Sequence, residues 1–188
     1  MSILENSILS EERWVYDRLR YNLSEILDEL VGNVVEIGAG EGTSTKVLCK
    51  VAKSYGREVL VIDPFEKSWD DIPKGYRYSL GKFEADLKGQ DYTLHQESSR
   101  HESTPEMLKE FMPIAFAYVD GLQDYDNILQ DLYMLADVQT AVICVDDIDA
   151  ERTEAQVLKA VKTFTKNRGY ELIEVDRNNK EGYLIRTT

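Results

Sequence analysis

The sequence predicts an α/β fold: a doubly wound, seven-stranded sheet, mostly parallel, closed at one end by an antiparallel C-terminal hairpin. Three observations predict it. Five short apolar runs alternate with helical patterns, as parallel strands do when helices cover both faces. The first run breaks into a glycine turn and a helix start, Glu36-Ile37-Gly38-Ala39-Gly40-Glu41-Gly42-Thr43-Ser44-Thr45. Two apolar runs near the C-terminus lie too close for a parallel crossover, which needs a dozen residues or more.

Ser10-Glu11-Glu12 is placed to cap a first helix through Trp14, Val15, Leu19, Leu23, Ile26, Leu27 and Leu30, ended by Gly32-Asn33. This amphipathic helix, which also carries Tyr16 and Tyr21, is a sheet cover, a pocket wall or a dimer surface. Strands are expected at Asn33 to Ile37, Glu58 to Asp63, Tyr92 to Glu97, Ile114 to Asp120 and Thr140 to Asp146. Helices are expected from Ser44 to Tyr55, within Tyr78 to Leu87, from Thr104 to Phe111 and from Tyr125 to Ala136. A last helix, Glu151 to Asn167, precedes the pair Tyr170 to Val175 and Tyr183 to Arg186, joined by the short turn from Arg177 to Gly182. No repeat or linker divides the chain. Residues 1–188 read as one domain, with 1–31 a helical cover and 32–188 the core.

Composition narrows the partners. No apolar run reaches the length of a membrane span, and the N-terminus lacks the basic region and long apolar core of a signal peptide. Cys49 and Cys144 sit among apolar residues and read as reduced packing residues, so a cytoplasmic protein is expected. A formal charge of −13 argues against nucleic acid and anionic membrane, neither of which would find a basic surface. A small molecule, neutral or cationic, fits better. Oligomeric state stays open, a homodimer included.

In open parallel sheets, ligands bind beyond the carboxyl ends of the strands, near the point where strand order reverses. Every one of the five runs carries acid at that end: Glu36, Asp63, Glu97, Asp120 and the pair Asp146-Asp147. One such carboxylate is ordinarily solvated or caps the next helix. Five of them around a glycine turn suggest a site. The turn reads G-x-G-x-G, with Thr43 where a dinucleotide turn would need glycine, and no lysine follows for a phosphate loop. Glu41 within the turn would repel a pyrophosphate but tolerate a ligand with a cationic end.

The pattern Glu36-x-Gly38-x-Gly40-x-Gly42, with Asp63 ending Val59-Leu60-Val61-Ile62-Asp63, resembles motif I and its spaced acid in the class I S-adenosylmethionine-dependent methyltransferases. The resemblance spans roughly Gly32 to Arg186, the reversed last strand included, and implies a Rossmann-like fold. It implies that Gly38, Ala39, Gly40 and Gly42 lie against the methionine and ribose of S-adenosyl-L-methionine. Asp63 would hold the ribose hydroxyls, a task suited to a carboxylate that accepts two hydrogen bonds. Glu36 would help order the amino end, and Glu97-Ser98 would sit beside adenine.

A closer resemblance lies in Ala117-Tyr118-Val119-Asp120-Gly121 through Asp131-Leu132, followed by Val145-Asp146-Asp147. It is similar to a subgroup of small-molecule O-methyltransferases with Asp-Gly and Asp-Asp motifs, the macrolide-sugar enzymes among them. The resemblance implies that Asp120, Asp146 and Asp147 are metal ligands, for which Mg²⁺ is suited by their hard oxygens. It also makes Asp120 and Asp147 the catalytic candidates and Asp120 a cofactor contact. The chain departs from the subgroup at Leu122-Gln123, where Asp-His is common, so the base is left open among Asp124, Asp147, a metal-bound water and none at all, for a substrate acidic enough to need none.

Other features are weaker. His95 alternates with apolar neighbours and reads as a packed histidine, while His101 falls in a polar loop near the adenine side. The aromatic segment from Pro64 to Tyr78 is either satellite core or a lid. The expected function is methyl transfer to a hydroxyl of a small polar acceptor. The rivals are a non-catalytic cofactor-binding sensor or subunit, kept open by Leu122-Gln123, and a nicotinamide-dependent oxidoreductase.

Overall fold

A computed structural model of the chain describes residues 15–65, 78–148, 156–174 and 181–187. The predicted cap at Ser10, the segment 66–77, the start of the last helix and the hairpin turn at 177–180 lie outside them. The described chain runs α1 (Val15–Glu29), β1 (Asn33–Ile37), α2 (Thr43–Ser54), β2 (Val59–Ile62), α3 (Leu80–Asp86) and β3 (Thr93–His95). It continues with α4 (Thr104–Glu110), β4 (Ile114–Val119), α5 (Tyr125–Asp137), β5 (Val142–Val145), α6 (Gln156–Asn167), β6 (Tyr170–Glu174) and β7 (Gly182–Arg186).

Seven strands form one sheet in the order β3-β2-β1-β4-β5-β7-β6. The pairs from β3 to β5 are all parallel, and β7 runs antiparallel to both β5 and β6. The expected doubly wound sheet with a reversed last strand is therefore present. β1 keeps its expected bounds, while β2 to β5 end short of the acids expected to close them. Backbone bonds still continue past several ends, from Asp120 N to Ile37 O at 2.9 Å and from Asp146 N to Val119 O at 3.0 Å.

Alternate residues of the central strands feed two cores, as the two-residue strand period requires. Val34, Val61, Phe116 and Tyr118 face Leu19, Leu23 and Ile26 of α1 and Leu48 of α2. Val35, Leu60, Ala117 and Ile143 face Ile128, Leu132 and Leu135 of α5 and Val161 and Phe164 of α6. Each large apolar side chain fully buried this way contributes about 1.5–3 kcal/mol. The first helix is thus a sheet cover. It is also tied to the C-terminal strands, since buried Arg18 donates from Nε to Glu181 Oε2, just before β7, at 3.0 Å. Cys49 and Cys144 are free and buried.

Candidate active site

Strand order reverses between β1 and β4, and the cavity lies beyond their carboxyl ends. Gly38 makes the close approach there. A Cβ on it would lie 2.4 Å from the carbonyl oxygen of Asp120, and its φ of 84° is left-handed. Gly42 opens α2 at φ 83° as its N-cap, against Phe83 of α3. The turn therefore has its main chain pressed between β4 and α3, leaving Gly38 to Glu41 on the wall of a cavity of about 1170 Å³. That exceeds an ordinary single-ligand pocket of roughly 300–1,000 Å³, room for a cofactor and a small acceptor together.

Glu36 lies behind this wall rather than on it. It is 0% exposed, and its two carboxylate oxygens accept from Ser44 Oγ and Thr45 Oγ1, each at 2.5 Å. Burial raises its pKa to about 7, against the pull of those two hydroxyls. Its role in the structure is to brace the turn against the first residues of α2. Gly42 is likewise off the cavity wall.

Asp63 braces the same turn from β2. Its Oδ2 accepts from Ala39 N at 2.9 Å and Gly40 N at 3.3 Å, and its Oδ1 accepts from Phe65 N at 2.8 Å. Asp63 also lines the cavity. Tyr78 packs beside Gly40 and joins the wall, and Glu41 is paired with Lys82. Phe65, by contrast, is core against Phe83.

On the β3 side, Glu97, Ser98 and His101 line the cavity. The loop is fastened to α4, since Thr104 Oγ1 donates to Ser98 O at 2.9 Å. His95 is buried and shares a 3.0 Å hydrogen bond with Thr104 Oγ1, so it packs as expected. Asp131, from α5, also lines the cavity although it is 2% exposed. Burial raises its pKa to about 7, opposed by a hydrogen bond from Ser99 and the charge of Arg100.

The acids of β4 and β5 complete the wall with Asp120, Asp146 and Asp147. Asp120 has its pKa raised to about 8, first by burial and then by Asp146, Glu36 and Asp147, with a hydrogen bond from Gln123 opposing them. Asp147 adopts a left-handed φ of 51°, and its Oδ2 accepts from Gln123 Nε2 at 2.8 Å. Asp124 caps α5, accepting from Asn127 N at 3.0 Å. Although partial burial works the other way, hydrogen bonds from Asn127 hold its pKa below the usual value, which makes it a poor base.

Three hard carboxylates are the right chemistry for a divalent cation. Their arrangement is not, because among the described residues no three His, Cys, Asp or Glu side chains gather as a metal-binding group. Asp147 is instead engaged by an amide. No step is derived through a metal.

Sequence reasoning placed the strand-end acids and offered the first helix, with Tyr16, as a pocket wall, but missed Ser44, Thr45 and Asp131. Tyr16 reaches the cavity from α1, with its phenol near Asp120 and Asp146; burial, then those acids, raise its pKa. Ser44 and Thr45 were legible only as small polar residues after the turn. Asp131 had a usable signal, an acid on the buried stripe of Ile128, Leu132 and Leu135.

The comparisons agree with this geometry. A family profile described as a methyltransferase domain matches residues 35–148, from the first strand through the Asp146-Asp147 pair. The structure of the O-methyltransferase NovP is similar, with a TM-score of 0.62, 18% identity, and coverage of 92% of this chain and 79% of that one. So is the S-adenosylhomocysteine-bound methyltransferase PaMTH1 of Podospora anserina, with a TM-score of 0.58, 12% identity and coverage of 100% and 89%. No curated protein matches the chain at a significant level. With the profile covering more than half the chain around the same glycine turn and strand-end acids, this protein belongs to the methyltransferase domain family and is a class I S-adenosylmethionine-dependent methyltransferase.

Proposed function

We propose that the acceptor is a small polar molecule methylated on a hydroxyl oxygen. The observation that carries this reading is the Asp120 carboxyl. It lies on the cavity wall beside the glycine turn, crowded by Asp146, Glu36 and Asp147, and its pKa is raised to about 8. A group so placed gains from a cationic neighbour and can take a proton near neutral pH. When bound, S-adenosylmethionine supplies an electrophilic methyl group on a sulfonium, which passes in line to the acceptor oxygen and leaves a neutral thioether.

The chain's own residues do the rest. Asp63 and the main chain of Gly38 to Gly40 would hold the ribose and methionine portions, and Glu97 and Ser98 the base. Asp120 favours the cation before transfer and would accept the acceptor's proton. Asp147 is the second candidate for that proton. The phenol of Tyr16 would orient the hydroxyl from the α1 side. Orientation of two reactants in one cleft is the main contribution such a site can make.

A small acceptor is supported by the formal charge of −13, which disfavours nucleic acid and anionic membrane as partners. No described helix is long and apolar enough to cross a membrane. Two free buried cysteines support a cytoplasmic setting. The NovP likeness supports oxygen as the target.

The test is transfer of labelled methyl from S-adenosylmethionine to a panel of sugar and phenolic hydroxyls, alongside amine and carbon acceptors. Label on hydroxyls, lost in Asp120→Asn, is expected. Label confined to nitrogen or carbon acceptors would overturn the oxygen assignment.

A further inference from the structure

Asp131 is a buried acid on the cavity wall with an oxygen left over. On α5, Asp124, Asn127 and Asp131 follow one another at helical spacing and line the cavity as one face. The adjoining stripe of Ile128, Leu132 and Leu135 enters the core. Asp131 is only 2% exposed, and its Oδ1 has no hydrogen-bond partner among the described residues. The carboxyl lies against the switch point, because a Cβ on Gly121 would be 3.8 Å from Asp131 Oδ2 and 3.6 Å from Ile37 Cγ2. Leaving a buried acceptor unpaired costs about 1–3 kcal/mol. Such a group is accounted for when a ligand brings the missing donor.

We propose that the Asp131 carboxyl accepts a hydrogen bond from the exocyclic amine of the cofactor's adenine and so selects that base. This rests on the cofactor placement given under the proposed function. S-adenosylmethionine carries three kinds of donor: its ammonium, its ribose hydroxyls and its adenine amine. The hydroxyls fall to Asp63, and the ammonium to the glycine turn and Asp120. The amine is left for the β3 side, where Ser98, Ser99 and Arg100 share the wall with Asp131. That side is already fastened, by Thr104 Oγ1 to Ser98 O at 2.9 Å. The acceptor's hydroxyl belongs at the methyl end, beside Asp120 and Asp147, so it does not compete for Asp131. An ionised carboxylate only accepts. A base with a carbonyl in place of the amine would set one buried oxygen against another. Sites built on a hydrogen bond reject the analogue that cannot make it far more strongly than apolar pockets do.

The test is calorimetry on the full chain at about pH 8.5, where Asp131, with its pKa raised to about 7, is ionised. S-adenosylhomocysteine is compared with S-inosylhomocysteine, which has oxygen in place of the amine, and with the purine analogue that has hydrogen there. The wild type should bind S-adenosylhomocysteine at least about tenfold more tightly than either. Asp131→Asn should cut the preference over the inosine form to about threefold or less, because an amide can turn its N–H to the oxygen. Asp131→Leu should lose affinity for S-adenosylhomocysteine while binding the purine analogue as the wild type does. Equal binding of the three ligands by the wild type, or an unchanged preference in both variants, overturns the proposal. Circular dichroism verifies that each variant folds; should neither do so, the wild-type comparison decides alone. Failure of the wild type to bind any of the three would remove the cofactor assignment and this proposal with it. Tight binding without discrimination would remove only the role of Asp131.

Discussion

The carboxylate of Asp63 accepts the backbone N–H of Ala39 at 2.9 Å, fastening the end of β2 to the glycine turn that follows β1. With Gly40 N and Phe65 N on the same carboxylate, one side chain organises three main-chain donors. Asp63→Ala should therefore weaken S-adenosylhomocysteine binding by at least tenfold in calorimetry. It should also lower stability by about 1–3 kcal/mol, the cost of buried donors left unpaired. Undiminished binding would show that Asp63 does not hold the ligand.

Glu36 predicts a different pattern, because it braces the turn from behind. Glu36→Ala leaves the Ser44 and Thr45 hydroxyls without their acceptor inside the core, at a cost of about 2–4 kcal/mol. Glu36→Gln should cost less, since one carbonyl oxygen still accepts. Urea denaturation of the two variants measures the difference. Equal stabilities would mean the hydroxyls have found other partners.

Gly38→Ala asks for a Cβ 2.4 Å from the Asp120 carbonyl at a left-handed φ. Either β1 and β4 separate at the switch point or the turn refolds. A loss of about 2 kcal/mol or more is expected, together with loss of cofactor binding. Retention of both would place the turn further from β4 than the structure has it.

Burial raises the pKa of Glu36, Asp131 and Glu181 each to about 7 in the folded chain. An unfolded carboxyl titrates near ~4, so between those values the folded state binds more protons than the unfolded one. Stability is then greatest at low pH in that window and falls as pH rises through about 7. The ligand-free protein should melt several degrees higher at pH 5.5 than at pH 8, by scanning calorimetry. Glu36→Gln should flatten the slope. A melting temperature that climbs over this range would contradict the burial of these carboxyls.

The Arg18–Glu181 pair, 3.0 Å apart and buried, joins α1 to the start of β7. Arg18→Ala strands Glu181 and should cost about 3–5 kcal/mol. Arg18→Met with Glu181→Leu should recover much of that loss, because neither charge is then left alone. Chemical denaturation of the single and double variants tests this directly. A double variant as unstable as Arg18→Ala would mean that packing at this edge matters more than charge.

Much of the fold was legible because buried parallel strands leave continuous apolar runs. Those from Asn33 to Ile37 and from Ile114 to Val119 can be read with almost no surroundings. The terminal hairpin was legible from chain length alone. The site was partly legible for the same reason: whatever ends a parallel strand lies at one edge of the sheet, so Asp63, Asp120 and Asp146 had to come together. Asp131 was not, and the helix of Tyr16 read equally as sheet cover, pocket wall or dimer surface, since a helix's rotation depends on what it packs against.

By itself, then, the sequence determined the elements, their alternation, the glycine turn and the row of acids, because local periodicity and strand direction carry that information. Tertiary structure alone decided what each acid does. It turned Glu36 away from the cavity onto Ser44 and Thr45, and gave Asp63 to the turn's main chain. It also set Gln123 against Asp147. Hydrogen-bond partners and burial depend on distances across the fold, and a carboxylate's proton affinity follows from them.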